Sequence, residues 1–276
     1  MAEHVEGRFT GAAGGQIYWQ GWVPSAPVGV VLIVHGIAEH GGRYAHVGRR
    51  FAEEGYATYV HDHRGHGRSD GTRGNVERMS TVITDLETML RSTAGRHPDL
   101  PTFLYGHSMG GLITLAYLTG SPAELRGVVL SASAVEVSVG SRAARAAAGV
   151  LSAVVPNLGV VALDASSMSR DPEVVRDYDT DPLNYRGKIR ARTGAEMLVA
   201  TERALASLDR VTVPLLLIHG SADEITGPAG TRRLADQVAS TDVTLKIYDD
   251  FYHELHNEPD KETVFVDIIR WLKEHT

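Results

Sequence analysis

Thr102-Phe-Leu-Tyr-Gly-His-Ser-Met-Gly-Gly-Leu-Ile113 decides the fold of this chain. Its first four residues are aromatic, β-branched or aliphatic and read as a short buried strand. The stretch from Gly110 to Thr119 then reads as a helix. Between them, Gly106-His-Ser-Met-Gly110 fits the pattern G-x-S-x-G in the strand–turn–helix context that the pattern requires. The glycines permit a tight turn that lifts the Ser108 hydroxyl above the sheet. The helix behind it aims its N-terminus at the site and favours developing negative charge there. Ser108 is therefore the expected nucleophile.

The same alternation extends in both directions. Val28-Gly-Val-Val-Leu-Ile-Val34 reads as a buried strand, and Arg43 to Glu54 as a helix ended by Gly55. Ala57 to His61, Gly127 to Ser131, Val213 to His219 and Val243 to Tyr248 read as further strands. Thr81 to Thr93 and Thr263 to Glu274 read as helices. Strands separated by helices pair in parallel through right-handed crossovers, so the expected fold is a doubly wound, mostly parallel sheet of the α/β class. The alternation breaks between about Ser133 and Asp209. That break predicts a core formed by residues 1–133 and 209–276 and a helical cap inserted over 134–208. Ligands of such sheets bind at the C-terminal ends of the strands, and each candidate motif follows a strand.

A neutral serine needs a base, and the base needs an acid to orient it. In the α/β-hydrolase fold the chain order is Ser, then Asp or Glu, then His. Asp223 follows one strand in His-Gly-Ser-Ala-Asp-Glu, with Glu224 as the competing acid. His253 follows the last strand in Tyr-Asp-Asp-Phe-Tyr-His-Glu-Leu-His, with His256 as the competing base. An oxyanion hole needs two backbone donors aimed at one point. Met109 after the nucleophile, and Ile37 after the strand ending in His35-Gly36, are the candidates. The histidine-rich Asp62 to Ser69 is read as a structural turn tied by Asp62 and Arg64. No His-x-x-x-His with a helical glutamate occurs, and His253 and His256 are wrongly spaced for that zinc motif. No metal and no cofactor are expected. Ser141 to Val155 is Ala-rich and apolar, either a helix packed on the core or a lid facing an acyl chain or a lipid interface.

Composition bounds the partners. The 276 residues carry a net charge of -7, which argues against nucleic-acid binding. There is no cysteine, so disulfides, zinc–thiolate sites and a cysteine nucleophile are excluded. The N-terminus lacks the basic and apolar pattern of a signal peptide. No apolar run approaches the roughly 20 residues of a spanning helix. The expectation is a cytoplasmic protein, able to touch a membrane peripherally through the cap, with a lipid-like small molecule as its partner.

His35 to Tyr44 (HGIAEHGGRY), His61 to Gly71 (HDHRGHGRSDG), Gly106 to Gly111 (GHSMGG), Asp179 to Leu183 (DTDPL), His219 to Gly227 (HGSADEITG) and Tyr248 to Glu258 (YDDFYHELHNE) occur in order. Together they resemble the monoglyceride lipases within the lysophospholipase-like α/β-hydrolases, from about Gly29 to Trp271. The resemblance implies a Ser108–Asp223–His253 triad with Ile37 and Met109 at the oxyanion hole, and favours His253 over His256. It also implies that Glu39, Arg43 and His256 lie near the glycerol moiety at the polar end of the pocket. Ala38 departs from the glycine usual in the family. The implied activity is hydrolysis of the acyl ester of monoacylglycerol to fatty acid and glycerol. A lysophospholipase or general carboxylesterase is the alternative enzyme: Glu39 would disfavour a phosphate head group and Arg43 would favour one. A non-hydrolytic binding module is the alternative class, against which an intact triad argues.

Overall fold

Val30, Leu32 and Val34 face one side of a sheet while Val31 and Ile33 face the other, and all five are buried. A strand apolar on both faces needs cover on both faces. The computed structural model, which describes residues 2–120, 122–136 and 142–276, supplies that cover. In chain order the core begins with β1 (Glu3–Thr10), β2 (Gln16–Val23), β3 (Gly29–Val34), α1 (Ala45–Glu53), β4 (Tyr56–His61) and α2 (Met79–Arg96). It continues with β5 (Thr102–His107), α3 (Met109–Leu118) and β6 (Gly127–Ser131). Then come α4 (Arg142–Val154), β7 (Gly159–Val161), α5 (Pro172–Thr180), β8 (Ile189–Arg190) and α6 (Ala191–Leu205). The chain closes with β9 (Leu215–Gly220), α7 (Pro228–Gln237), β10 (Val243–Tyr248) and α8 (Lys261–His275).

Among the described residues, eight strands form one sheet in the order β1-β2-β4-β3-β5-β6-β9-β10. From β4 to β10 the neighbours run parallel, and β1–β2 and β2–β4 are antiparallel. This is the α/β-hydrolase architecture. One face packs on Leu86, Met89, Leu112 and Leu115 of α2 and α3. The other packs on Phe51 of α1 and on Phe265, Ile268 and Leu272 of α8.

Three differences from the sequence reading have local causes. The β1–β2 hairpin precedes the first expected strand; β1 is a solvent-facing edge with charged residues interleaved, so its apolar signal is weak. The expected helix from Arg43 begins as a 3₁₀ turn at Gly41–Tyr44 and becomes α-helical only at Ala45. The inserted stretch between β6 and β9 is not purely helical, because β7 and β8 pair there as a short antiparallel ribbon. Part of the Ser141–Val155 lid expectation, at Ser141, lies outside the described residues.

The turn from Asp62 to Ser69 is a scaffold. Asp62 accepts hydrogen bonds from the amides of Gly41 (2.7 Å) and Arg68 (2.7 Å), and Ser69 Oγ donates to the Asp62 carbonyl (2.6 Å). Gly65 stands at φ 75, where a Cβ would meet the Thr72 carbonyl at 2.4 Å. Four imidazoles pack beneath it. His35 and His63 rings lie 4.0 Å apart, and His61 and His63 rings 5.1 Å apart. Among the described residues, neither ring nitrogen of His61 has a partner, nor does Nε2 of His66. Burial pushes His61 and His66 down to about 4, and His35 and His63 well below the ordinary imidazole range.

That cluster makes stability pH-dependent with a definite sign. These imidazoles stay neutral in the fold but bind protons in the unfolded chain below about pH 6.5. The stability they allow is full above about 6.5 and declines as pH falls toward about 4. Each group steepens the decline by up to about 1.4 kcal/mol per pH unit. Melting temperature followed by circular dichroism should therefore fall from pH 7 to pH 5, and His61→Phe should flatten that slope. A wild-type melting temperature unchanged over this range, or an undiminished slope in the variant, contradicts the account.

Candidate active site

Ser108 sits at the junction of β5 and α3 with φ 54 and ψ -118, a conformation that strains any residue with a side chain. Its neighbours explain how the strain is held. A Cβ on Gly106 would come 2.6 Å from Thr114 Oγ1, and one on Gly110 would come 1.9 Å from the Val34 carbonyl. Only glycine lets α3 lie this close to β3 and β5. The Ser108 amide donates to the Ser131 carbonyl (3.0 Å), which fixes the turn to β6.

The loop after β10 brings His253 to the serine. Its Nε2 lies 2.9 Å from Ser108 Oγ and its Nδ1 lies 2.7 Å from Asp223 Oδ2. A carboxylate only accepts, so Nδ1 donates to Asp223 and Nε2 is left to accept the serine proton. Asp223, after β9, is a hub. Its Oδ2 also accepts from His219 Nε2 (2.9 Å) and Thr226 Oγ1 (3.0 Å), while its Oδ1 accepts from the amides of Ile225 (2.8 Å) and Thr226 (2.9 Å). Burial pushes this carboxyl up, but the hydrogen bonds from His219 and His253 and the Thr226 amide outweigh it and hold Asp223 well below the usual carboxylate range. The structure thus brings Ser108, His253 and Asp223 into one hydrogen-bonded chain. Glu224 is exposed, and His256 is buried with its Nδ1 3.4 Å from the Tyr105 hydroxyl.

Met109 opens α3, where an amide has no partner within its own helix. Ile37 lines the same cavity as Ser108. Ala38 stands at φ 65, a left-handed conformation costing a non-glycine residue about 1–2 kcal/mol. The Tyr185 amide (2.9 Å) and the Tyr178 hydroxyl (3.3 Å) donate to its carbonyl and hold it there.

Glu39, Arg43 and His256 do not line that cavity. Glu39 is 3% exposed and His256 0%. Arg43 is committed to carboxylates, through Nη1 to Glu39 (2.9 Å) and through Nη1 and Nη2 to Glu254 (2.6 and 2.7 Å). Glu39 and Arg43 pair directly, His256 stacks on Tyr44 at 4.7 Å between ring centroids, and Arg43 keeps 10% of its side chain exposed. Glu254, His219 and Thr226 were missed by the sequence reading. His219 lies near the end of β9 and the other two in the loops after β9 and β10, yet only the fold shows what they touch.

The cavity measures about 800 Å³ and runs from Ser108 under the inserted elements. Leu151 of α4, Val160 and Val161 of β7, Leu163, Ile189 of β8 and Ala191, Met197 and Leu198 of α6 line it. Its polar lining is confined to Ser108, Glu136, Glu224 and Thr226 among the described residues. Among those residues no helix is long and apolar enough to cross a membrane.

A serine, histidine and aspartate hydrogen-bonded in line at the C-terminal edge of this sheet, beside an apolar cavity, define a serine hydrolase of the α/β-hydrolase fold. The family described as serine aminopeptidase, S33 (Hydrolase_4) matches residues 25–260. The monoacylglycerol lipase of Mycolicibacterium smegmatis is 42% identical over 98% of this chain and 97% of its own length. The human monoglyceride lipase is 35% identical over 96% of this chain and 89% of its own length. The crystal structure of Paleococcus ferrophilus monoacylglycerol lipase superposes with a TM-score of 0.83 at 30% identity, covering 99% of this chain and 100% of that one. The chain belongs to the Hydrolase_4 family and is a member of the monoglyceride lipase family.

Ser108→Ala should lower ester turnover by on the order of 10⁴ to 10⁶. Its circular dichroism spectrum should remain that of the wild type. A folded variant that keeps more than about a tenth of wild-type turnover would require a different nucleophile.

Proposed function

We propose that this protein hydrolyses monoacylglycerols to a fatty acid and glycerol. The observation that carries the reading is the apolar cavity of about 800 Å³ that ends on Ser108. Such a volume suits one drug-sized ligand. Each methylene of an acyl chain buried there contributes about 0.8 kcal/mol. In the proposed reaction Ser108 Oγ attacks the ester carbonyl as His253 Nε2 takes its proton. Asp223 orients the imidazole, and the Ile37 and Met109 amides receive the oxyanion. His253 returns the proton to the departing glycerol, and water repeats the sequence on the acyl-enzyme.

Glu136 and Glu224 are the charged lining residues, and no cation joins them among the described residues. Two carboxylates favour a neutral polar head over a phosphate, which supports a monoacylglycerol above a lysophospholipid. The apolar remainder of the lining supports an acyl ester above the peptide substrate that the family description suggests. On the cap, Val150, Val154, Leu158 and Val161 are exposed beside this cavity. We read that ridge as a peripheral contact with a lipid interface, on a protein of the cytoplasm.

A roofed cavity admits one chain more readily than three. With mono- and triacyl esters of the same chain, both in detergent micelles, kcat/KM should favour the monoacyl ester by at least about tenfold. Equal values, or a triacyl preference, overturn the reading.

A further inference from the structure

We propose that a groove on the far side of α6 is a second binding site, for the anion of a single-chain fatty acid. The choice of occupant rests on the hydrolysis proposed above, which releases such an acid. α6 is a partition between two hollows. Ala191, Gly194, Ala195 and Leu198 line the cavity that ends on Ser108. Glu196, Val199, Ala200 and Arg203 follow the same three- and four-residue spacing on another face of the helix and line a separate groove of about 650 Å³. The start of α2 and the end of α3 close its other sides. That volume is in the range that holds one small ligand.

The groove has the two surfaces that an amphiphilic anion requires. Its floor is apolar, built from Met79 and Ile83 of α2, Ala116 of α3 and Val199, Ala200 and Ala204 of α6. Met79, Ala200 and Ala204 are buried, while Val199 stays 45% exposed over them. A surface helix ordinarily turns one apolar stripe to the core and a polar face to water, whereas α6 is apolar towards the cavity and towards the groove. The charge lies at the edges. Arg78, just before α2, and Arg203, in the last turn of α6, line the groove and are exposed. Among the described residues neither guanidinium has an ion-pair partner. The one carboxylate among the described lining residues is already held: Glu196 Oε2 accepts from the Met79 amide (2.9 Å), and its Oε1 lies 3.9 Å from Arg192.

Two free guanidiniums on a chain of net charge -7 are not left so for want of acidic residues. A guanidinium pairs with a carboxylate through a planar fork, and a fatty acid brings a carboxylate and an apolar chain together. The catalytic cavity presents the opposite charge. Glu136 and Glu224 line it, so the carboxylate formed at Ser108 is repelled there. Across α6 the same group meets two cations and its chain meets the apolar floor. A neutral monoacylglycerol offers the guanidiniums no charge, so the groove selects product over substrate.

The test uses wild-type protein whose Ser108 has first been phosphonylated with a hexadecyl fluorophosphonate, so that the alkyl chain fills the acyl cavity. Equilibrium dialysis with radiolabelled laurate, below its micellar concentration, should then find a single equivalent bound per chain. Arg78→Gln and Arg203→Gln should each weaken that binding by about threefold to tenfold, the loss expected of a partly solvated charge-assisted hydrogen bond. Before phosphonylation, both variants should turn over a p-nitrophenyl ester within about twofold of wild type, since neither residue lines the catalytic cavity. Methyl laurate, of the same length but uncharged, should bind at least about tenfold more weakly. A diazirine-bearing analogue of laurate should crosslink to residues 78–83, 116–120 or 199–207. No acid bound once the acyl cavity is filled, or binding that either substitution leaves at wild-type strength, would overturn the inference. Equal binding of the methyl ester, or crosslinks confined to other parts of the chain, would overturn it as well. Wild-type enzyme that cleaves no monoacylglycerol yet binds laurate in this groove would defeat the substrate reading alone.

Discussion

The left-handed turn at Ser108 constrains everything around it. With φ at 54, the serine leaves β5 and enters α3 within one residue, and its hydroxyl stands clear of both. That geometry is costly in isolation. It survives because Gly110 lies against the Val34 carbonyl and Gly106 against Thr114, contacts that a single methyl group would destroy. The parallel sheet thus does more than carry the site. Its close packing of β3, β5 and α3 supplies the force that keeps a strained residue strained, and places the loop after β3 beside the nucleophile.

The other two members of the hydrogen-bonded chain arrive on loops from β9 and β10, and their problem is electrostatic. Asp223 is nearly buried, which disfavours its charge, yet five donors converge on its two oxygens. The outcome is an ionised carboxylate with His253 Nδ1 as one donor among several. His219 and Thr226 hold the aspartate in place, which leaves the imidazole to be oriented by a fixed partner. His107 lies between His253, tilted to it at 4.8 Å between ring centroids, and His256, edge-on at 4.9 Å, and burial pushes it down to about 3. A neutral ring there packs against the base without adding a competing charge.

Much of this was legible in the sequence because it is local. Ser108, Asp223 and His253 each follow a short β-branched or aliphatic run, and a strand followed by a polar turn is recognisable within ten residues. The parallel core was legible for the same reason. The hairpin of β1 and β2 was not, since Glu3, His4, Glu6 and Arg8 mask the period of an edge strand. The ribbon of β7 and β8 spans three and two residues, too few for any periodicity. Glu39 and Arg43 were placed near the glycerol moiety by resemblance, and their ion pairing was not foreseen. Their partner Glu254 is 211 residues from Arg43, and only the sheet's convergence brings the two together.

One serine, activated by this geometry, is the nucleophile. Treating the wild-type protein with a fluorophosphonate and reading intact mass followed by peptide mapping tests it directly. The account predicts a single adduct per chain, on the peptide that carries Ser108, with Ser131 and Ser133 unlabelled. An adduct mapped to any other residue, or labelling that persists at the wild-type rate in Ser108→Ala, would contradict it.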